Sequence, residues 1–435
     1  MNVTVTVDGK AVDFTEQSPL LINDRTYIPI RGVFEKMGKT VDWSEDDKSV
    51  HISDDNESII LKIGKNEMLV SNAIKELDAA PVIVNDKALI PIRAAAEEFG
   101  ASVDWLALEQ QVMITTPEHI ESIKNQEHYI GDEYRLNENS LVDCGNCFAL
   151  NNSYLFKPVA VSDESAIEYA EIINEFAEKL PDANVYNMLL IDSNELYAPT
   201  RFYTGQKRAT ELVNSNLSEK VIPIPAIDNL VNHGAEKIYF STDHHWTHLG
   251  AYYAWETFAQ LKGFNPINLN ELQRADTDAF SGSYVQRMTE HLVPDELVKT
   301  EVMERYLPKY ETEVSVFGDM EMTQLMGKVP LINEQNNSYS CFISGDHPLA
   351  VIKSSVANGK KLVIIKESFG NALATWAVND YEYVYVVDIR GFKGGAFSIS
   401  EFYKLTGFDD LVIESYPTTV ASNDLRKYIK EMVEE

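Results

Sequence analysis

The run Ser241-Thr242-Asp243-His244-His245-Trp246-Thr247-His248 sets a carboxylate two residues before an imidazole, between an apolar stretch and a helical pattern. At that spacing Asp243 can accept the Nδ1–H of His245, fix the tautomer and leave Nε2 as a base. The competing reading is a buried histidine satisfied by its neighbours. Far along the chain, Lys366-Glu367-Ser368-Phe369-Gly370-Asn371 puts a serine between an apolar run and a helix start. Its hydroxyl is then exposed, with its own N–H and the helix N-terminus facing any oxyanion. An N-cap serine is the competing reading there. Together Ser368, His245 and Asp243 supply the nucleophile, base and orienting carboxylate of acyl transfer, in the chain order Asp, His, Ser. The Gly-x-Ser-x-Gly elbow is absent.

Two other chemistries compete. His244, His245 and His248, with Asp243, are donor types that zinc accepts, but no His-Glu-x-x-His occurs. The acyl-transfer reading is preferred, and no metal and no cofactor are assigned. Cys144-Gly145-Asn146-Cys147 is a CxxC without a second pair or a strand–turn–helix context. A disulfide, a redox pair and two buried thiols stay open for it.

The elements that must hold these residues alternate in type. Met188–Ile191, Lys237–Ser241, Leu362–Ile365, Tyr383–Val387 and Leu411–Ile413 read as buried strands. Helical patterns fall at Ser165–Lys179, Thr247–Leu261, Gly370–Val378 and Ser398–Thr406. Apolar strands alternating with helices predict an α/β domain with a parallel sheet covered on both faces. Chemistry in such sheets sits at the carboxyl ends of the strands. Residues 262–357 are an insertion between the histidine helix and the serine strand, and Phe280-Ser281-Gly282-Ser283-Tyr284 within it reads as a turn that approaches the site.

The first 115 residues repeat at an offset of 62 residues, without a gap. Asn23-Asp24-Arg25-Thr26-Tyr27-Ile28-Pro29-Ile30-Arg31 aligns with Asn85-Asp86-Lys87-Ala88-Leu89-Ile90-Pro91-Ile92-Arg93, and Val41-Asp42-Trp43 with Val103-Asp104-Trp105. Each unit predicts a turn, a short strand, a helix stopped by Gly38 or Gly100, and a closing strand pair. That is a small α+β module in tandem.

Composition bounds the rest. The 435 residues predict two or three domains, and 44% hydrophobic content suffices for packed cores. Net charge is −31; such a polyanion is repelled by phosphate backbones and anionic lipid, so nucleic acid is not an expected partner. No apolar run approaches 18 residues, and the first residues show no basic and apolar leader. Three cysteines cannot build a disulfide scaffold.

Residues 1–118 resemble the copper amine oxidase N-terminal-like domain, a stalk or adhesion module of exported proteins in Gram-positive bacteria. No copper is implied, because His51 is the only histidine of the repeat. The runs Thr242-Asp243-His244-His245-Trp246-Thr247, Gly250-Ala251-Tyr252, Gly345-Asp346-His347-Pro348-Leu349 and Ile365-Lys366-Glu367-Ser368-Phe369-Gly370-Asn371-Ala372 resemble the DHHW family over residues 128–435. That family is similar to the SGNH-hydrolase-like proteins of alginate acetylation.

The resemblance implies an SGNH-like three-layer αβα fold with a parallel sheet in permuted order. It implies a serine-dependent O-acetyltransferase or acetylesterase for an exported or cell-surface polysaccharide, with Ser368 as nucleophile, His245 as base and Asp243 as its orienter. The acyl donor comes from a membrane-bound O-acyltransferase, and the chain is extracellular or at the cell surface with its export signal trimmed. The oxyanion and substrate contacts fall on the loop of Arg390 and Gly391, on Asn371 and on Tyr416. Two departures stand out. Glu367 occupies a position usually held by Asp, and the strand ending at Ser415-Tyr416 lacks the usual Asn, leaving Ser415 or Tyr416 as the third donor. A catalytically weak polysaccharide-binding protein is the alternative, and a metallohydrolase is a third reading. The sequence does not separate transferase from esterase or name the glycan.

Overall fold

A computed structural model of the chain describes residues 3–22, 25–71, 73–106, 110–145, 147–287, 300–392 and 396–434. They form two compact units, residues 1–126 with 143–146, and residues 127–142 with 147–435.

The first unit realises the repeat. Tyr27, Ile28 and Pro29 pair antiparallel with Pro91, Ile90 and Leu89, so each repeat meets its counterpart with Ile28 opposite Ile90. Helices Ile30–Lys36 and Ile92–Glu98 follow those strands. Their buried faces bring Phe34 and Phe99 to 6.0 Å between ring centroids in one apolar core. Of the paired Asn-Asp turns, Asn23-Asp24 lies outside the described residues. Asn85 and Asp86 take φ of 47° and 58°, the left-handed pair a two-residue hairpin turn demands. The copies then diverge. Strand Ser49–Ser53 joins a five-stranded antiparallel sheet, whereas Gln111–Thr115 pairs in parallel with Thr4–Val7.

The second unit is built on an eight-stranded sheet. Its strands in chain order are β1 (Asn184–Leu189), β2 (Val221–Ile224), β3 (Thr312–Phe317), β4 (Leu325–Val329), β5 (Leu349–Ser354), β6 (Lys361–Lys366), β7 (Tyr383–Asp388) and β8 (Asp410–Ser415). The spatial order is β2-β1-β8-β6-β7-β5-β3-β4. The first five neighbours are parallel, and β5, β3 and β4 extend the sheet antiparallel. The insertion supplies the added strands β3, β4 and β5.

Helices α1 (Asp163–Lys179), α2 (Gln206–Asn216), α3 (His248–Leu261), α4 (Gly370–Ala377), α5 (Ile399–Thr406) and α6 (Asn423–Glu431) cover both faces. One core packs α3 and α4 on the sheet through Trp255, Phe258, Leu373 and Trp376 with Ile364 and Val412. The other packs α1, α5 and α6 through Phe176, Phe402 and Ile429 with Ile365 and Ile413. Adjacent strand residues enter opposite cores, as the pleat requires, and the result is three layers. The run Lys237–Ser241 is not a sheet strand. Only Tyr239 bridges, to Trp246, while Ile238 and Phe240 are fully buried under the loop they begin. An apolar run too short to show its period reads the same in either setting.

Candidate active site

Four parallel strands end on one margin of the sheet. β6 runs into Glu367-Ser368, β7 into Ile389-Arg390-Gly391, β8 into Tyr416, and β1 into Leu190-Ile191-Asp192. The Asp243-His245 segment joins them as a tight reversal. The Phe240 N–H donates to His245 O at 3.3 Å and the Thr247 N–H to Ile238 O at 2.8 Å. Thr247 Oγ1 then caps α3 by accepting from Gly250 N. Inside the reversal, the Glu301 carboxylate accepts from Ser241 N, Thr242 N and Thr242 Oγ1. A short loop thus keeps its backbone donors satisfied while its side chains point at the sheet margin.

The structure brings Asp243, His245 and Ser368 together. His245 Nδ1 donates to Asp243 Oδ1 at 2.5 Å, and Nε2 lies 2.7 Å from Ser368 Oγ. The carboxylate is held on both oxygens, Oδ1 also accepting from His245 N at 2.9 Å and Oδ2 from Ser283 N at 2.6 Å. Burial opposes charge on Asp243, but the electrostatic pull of the adjacent His245 and its hydrogen bonds outweigh that and hold the carboxyl below the ordinary range. Ser368 stays half-buried, whereas its neighbours Glu367 and Phe369 are buried. With the Nδ1–H committed to Asp243, the remaining ring nitrogen can take the serine proton.

Several residues that fix this geometry were not legible in the sequence. Tyr339 stacks flat on His245, 3.7 Å between centroids and 6° between planes. Trp246, fully buried, donates its indole N–H to Tyr339 Oη at 3.0 Å and to Phe369 O at 3.2 Å. The turn at 280–284 does reach the site, where Ser283 Oγ meets His244 Nδ1 at 2.7 Å. Its glycine is forced by close approach, since a Cβ on Gly282 would lie 2.0 Å from Thr242 O.

A set of buried carboxyls also stands behind the serine. Glu367 Oε2 is 3.3 Å from both Ser368 Oγ and Phe369 N. Burial raises Glu367, and burial with the neighbouring Glu367 raises Glu414 well above the ordinary range. Burial pushes the Asp192 carboxyl up to about 8, while Gln206 Nε2 donates to it at 2.9 Å.

The remaining expected contacts divide. Tyr416 stacks on Phe369 at 4.7 Å, beside the serine. Ser415, considered as a third oxyanion donor, is excluded by the pleat: it is fully buried and its Oγ accepts from Tyr169 Oη at 3.1 Å on the opposite face. Arg390 is bound in ion pairs, with its guanidinium on Asp388 at 2.6 Å and Asp346 at 2.8 Å. Lys366 neutralises the same two carboxylates from a fully buried position. Asn371 is committed to that network through Nδ2 to Asp346 Oδ1 at 2.9 Å. The Gly391 N–H, expected at the oxyanion, instead closes a turn on Asp388 O at 2.9 Å. His248 leaves the histidine group altogether: its Nε2 contacts Thr375 Oγ1, its Nδ1 accepts from Tyr306 N, and burial pulls it down to about 3. The donor atoms of Asp243, His244 and His245 lie within 4.8 Å of one another. No helix among the described residues is long and apolar enough to cross a membrane.

Comparison with known proteins matches two families. The copper amine oxidase N-terminal domain matches residues 6–114 and the DHHW protein family residues 115–387. A DHHW family protein from Eubacterium siraeum superposes with a TM-score of 0.60 at 24% identity, over 67% of this chain and 97% of that one. PatB1 of Bacillus cereus gives 0.52 at 16% identity, over 66% and 99%. The same protein with a sulfonyl adduct gives 0.53 at 17%, over 66% and 99%. These structures share the fold of the second unit. No curated protein matches the chain significantly.

Proposed function

The chain belongs to the DHHW protein family, and on that premise we propose that it is an extracytoplasmic serine-dependent O-acetyltransferase or acetylesterase acting on an exported or cell-surface polysaccharide. The observation that carries this reading is the chain of contacts from Ser368 Oγ to His245 Nε2 at 2.7 Å and from His245 Nδ1 to Asp243 Oδ1 at 2.5 Å.

Ser368 Oγ attacks the acyl carbonyl carbon while His245 Nε2 takes its proton. Asp243 holds the ring in the required tautomer and balances the imidazolium charge. Collapse of the tetrahedral adduct breaks the bond to the leaving oxygen, which receives the proton from His245. The acetyl group is then an ester of Ser368. In the second half a sugar hydroxyl or water gives its proton to His245 and attacks that ester, releasing Ser368 and either the acetylated sugar or acetate. The N-terminus of α4 and the aromatic pair Phe369–Tyr416 flank the carbonyl. The donor is an acyl group handed over by a membrane-bound O-acyltransferase, and the first unit serves as the stalk or adhesion module.

One specific observation favours a second reading, a catalytically weak glycan-binding protein. The Gly391 N–H is engaged by Asp388 O and β8 ends without an Asn side chain, so the oxyanion is left with fewer donors. Loss of one such donor costs about 10²–10³ in rate. Hydrolysis of an aryl acetate by the wild type and by Ser368→Ala separates the two. A working triad predicts a fall on the order of 10⁴–10⁶ in the variant. Equal rates favour the binding protein.

A further inference from the structure

The first unit contains a cleft of about 520 Å³ that the serine chemistry does not use. Its size is that of a small-ligand site. Its lining includes two exposed apolar side chains, Trp43 at 38% and Ile83 at 45%, together with Phe14. The Trp43 indole Nε1–H donates to Glu45 Oε2 at 2.8 Å. Apolar and aromatic side chains lining a concave site together with a few polar groups are the composition of a ligand pocket.

The charge around the cleft selects the ligand. Five carboxylates line it, Asp13, Glu16, Glu35, Asp42 and Asp86, against two cations, Arg31 and Lys87, leaving three negative charges in excess. Arg31 pairs with Glu35 and Lys87 with Glu16. The excess therefore falls on Asp13, Asp42 and Asp86, all at the exposed rim. A ring face carries negative π density that attracts cations and the electropositive C–H face of a pyranose. Rim carboxylates accept hydrogen bonds from hydroxyl and ammonium donors and repel anions.

We propose that this cleft is a binding site for a hexosamine chain, with a sugar ring stacked on Trp43 and its ammonium and hydroxyl groups held by Asp42, Asp86 and Asp13. Acidic sugars and phosphorylated glycans are excluded by the same carboxylates. The site rests on the chemistry of the cleft alone and stands whether or not Ser368 is a nucleophile.

The test is calorimetric titration of the full chain with a β-1,4-linked glucosamine hexamer at pH 6 and low salt, with a galacturonate hexamer as the anionic control. Saturable binding of the glucosamine hexamer is expected, with no binding of the control. Trp43→Ala and the exposed double variant Asp42→Asn/Asp86→Asn should each weaken it about tenfold or more, and added salt should weaken it further. Absence of saturable binding, unchanged affinity in both variants, or equal affinity for the galacturonate hexamer would overturn the proposal. Aryl acetate hydrolysis measured on the same samples reports on Ser368 independently, and neither variant should alter it.

Discussion

The indole N–H of Trp246 donates to the carbonyl oxygen of Phe369 at 3.2 Å, joining the residue after His245 to the residue after Ser368. Two loops separated by more than a hundred residues are thereby locked at the atoms that must stay in register. Trp246 is fully buried and also anchors Tyr339, the ring stacked on His245.

Replacing Trp246 by Phe keeps an aromatic ring but removes that donor. The expected result is a folded protein, destabilised by about 1–3 kcal/mol. Its aryl acetate turnover should fall about 10–100-fold, because small misplacements of reacting groups are costly. Thermal melts paired with kcat measurements check this. Wild-type turnover in Trp246→Phe would mean that the lock does not position the imidazole.

Asp243→Asn keeps the volume and lets the side chain go on accepting from His245 N, yet offers an amide where the carboxylate stood. The amide neither stabilises an imidazolium nor enforces the Nδ1–H tautomer. A fall of roughly 10³–10⁴ in kcat with KM little changed is expected. A change confined to KM would indicate that Asp243 binds substrate instead.

The two loops were legible because each packs its chemistry into a few consecutive residues. Asp243, His245 and Ser368 could be picked out by type, by spacing and by the apolar strand before the serine. So could the repeat, whose 62-residue offset needs no structural knowledge. Side chains that reach the site from elsewhere gave no such signal. Tyr339 stacks on a histidine 94 positions away, and nothing around it distinguishes it from a core tyrosine. Arg390, Asn371 and Gly391 were expected at the site from the family resemblance, but neighbouring carboxylates and a turn claim their donors. Ser415 was lost to the two-residue alternation of β8, which sends it to the face opposite Glu414. The antiparallel strands β3, β4 and β5 lie in the insertion, for which the sequence reading assigned no strands.

Asp192 contributes a pH dependence whose sign is fixed. Burial raises its folded value to about 8, against about 3.9 for a free side chain. Between those values the folded state binds more protons than the unfolded chain. The contribution is therefore complete below about pH 4 and is lost as pH rises toward 8, with a slope of at most about 1.4 kcal/mol per pH unit. Asp192→Asn removes the titration and can still accept from Gln206. The variant should match the wild type near pH 4 and melt several degrees higher at pH 8. Melting curves for both proteins across that range check it, and a constant difference would contradict the assignment.

Covalent capture tests the central claim most directly. The chain is incubated with an aryl sulfonyl fluoride at pH 8, and the modified peptide is identified by mass spectrometry. An alcohol whose proton is drawn off by a neighbouring imidazole should react at a single position. The account predicts stoichiometric sulfonylation of Ser368, with concurrent loss of aryl acetate hydrolysis, and little labelling in His245→Ala. Hydrolysis that persists with Ser368 unmodified, or equal labelling in His245→Ala, would contradict it.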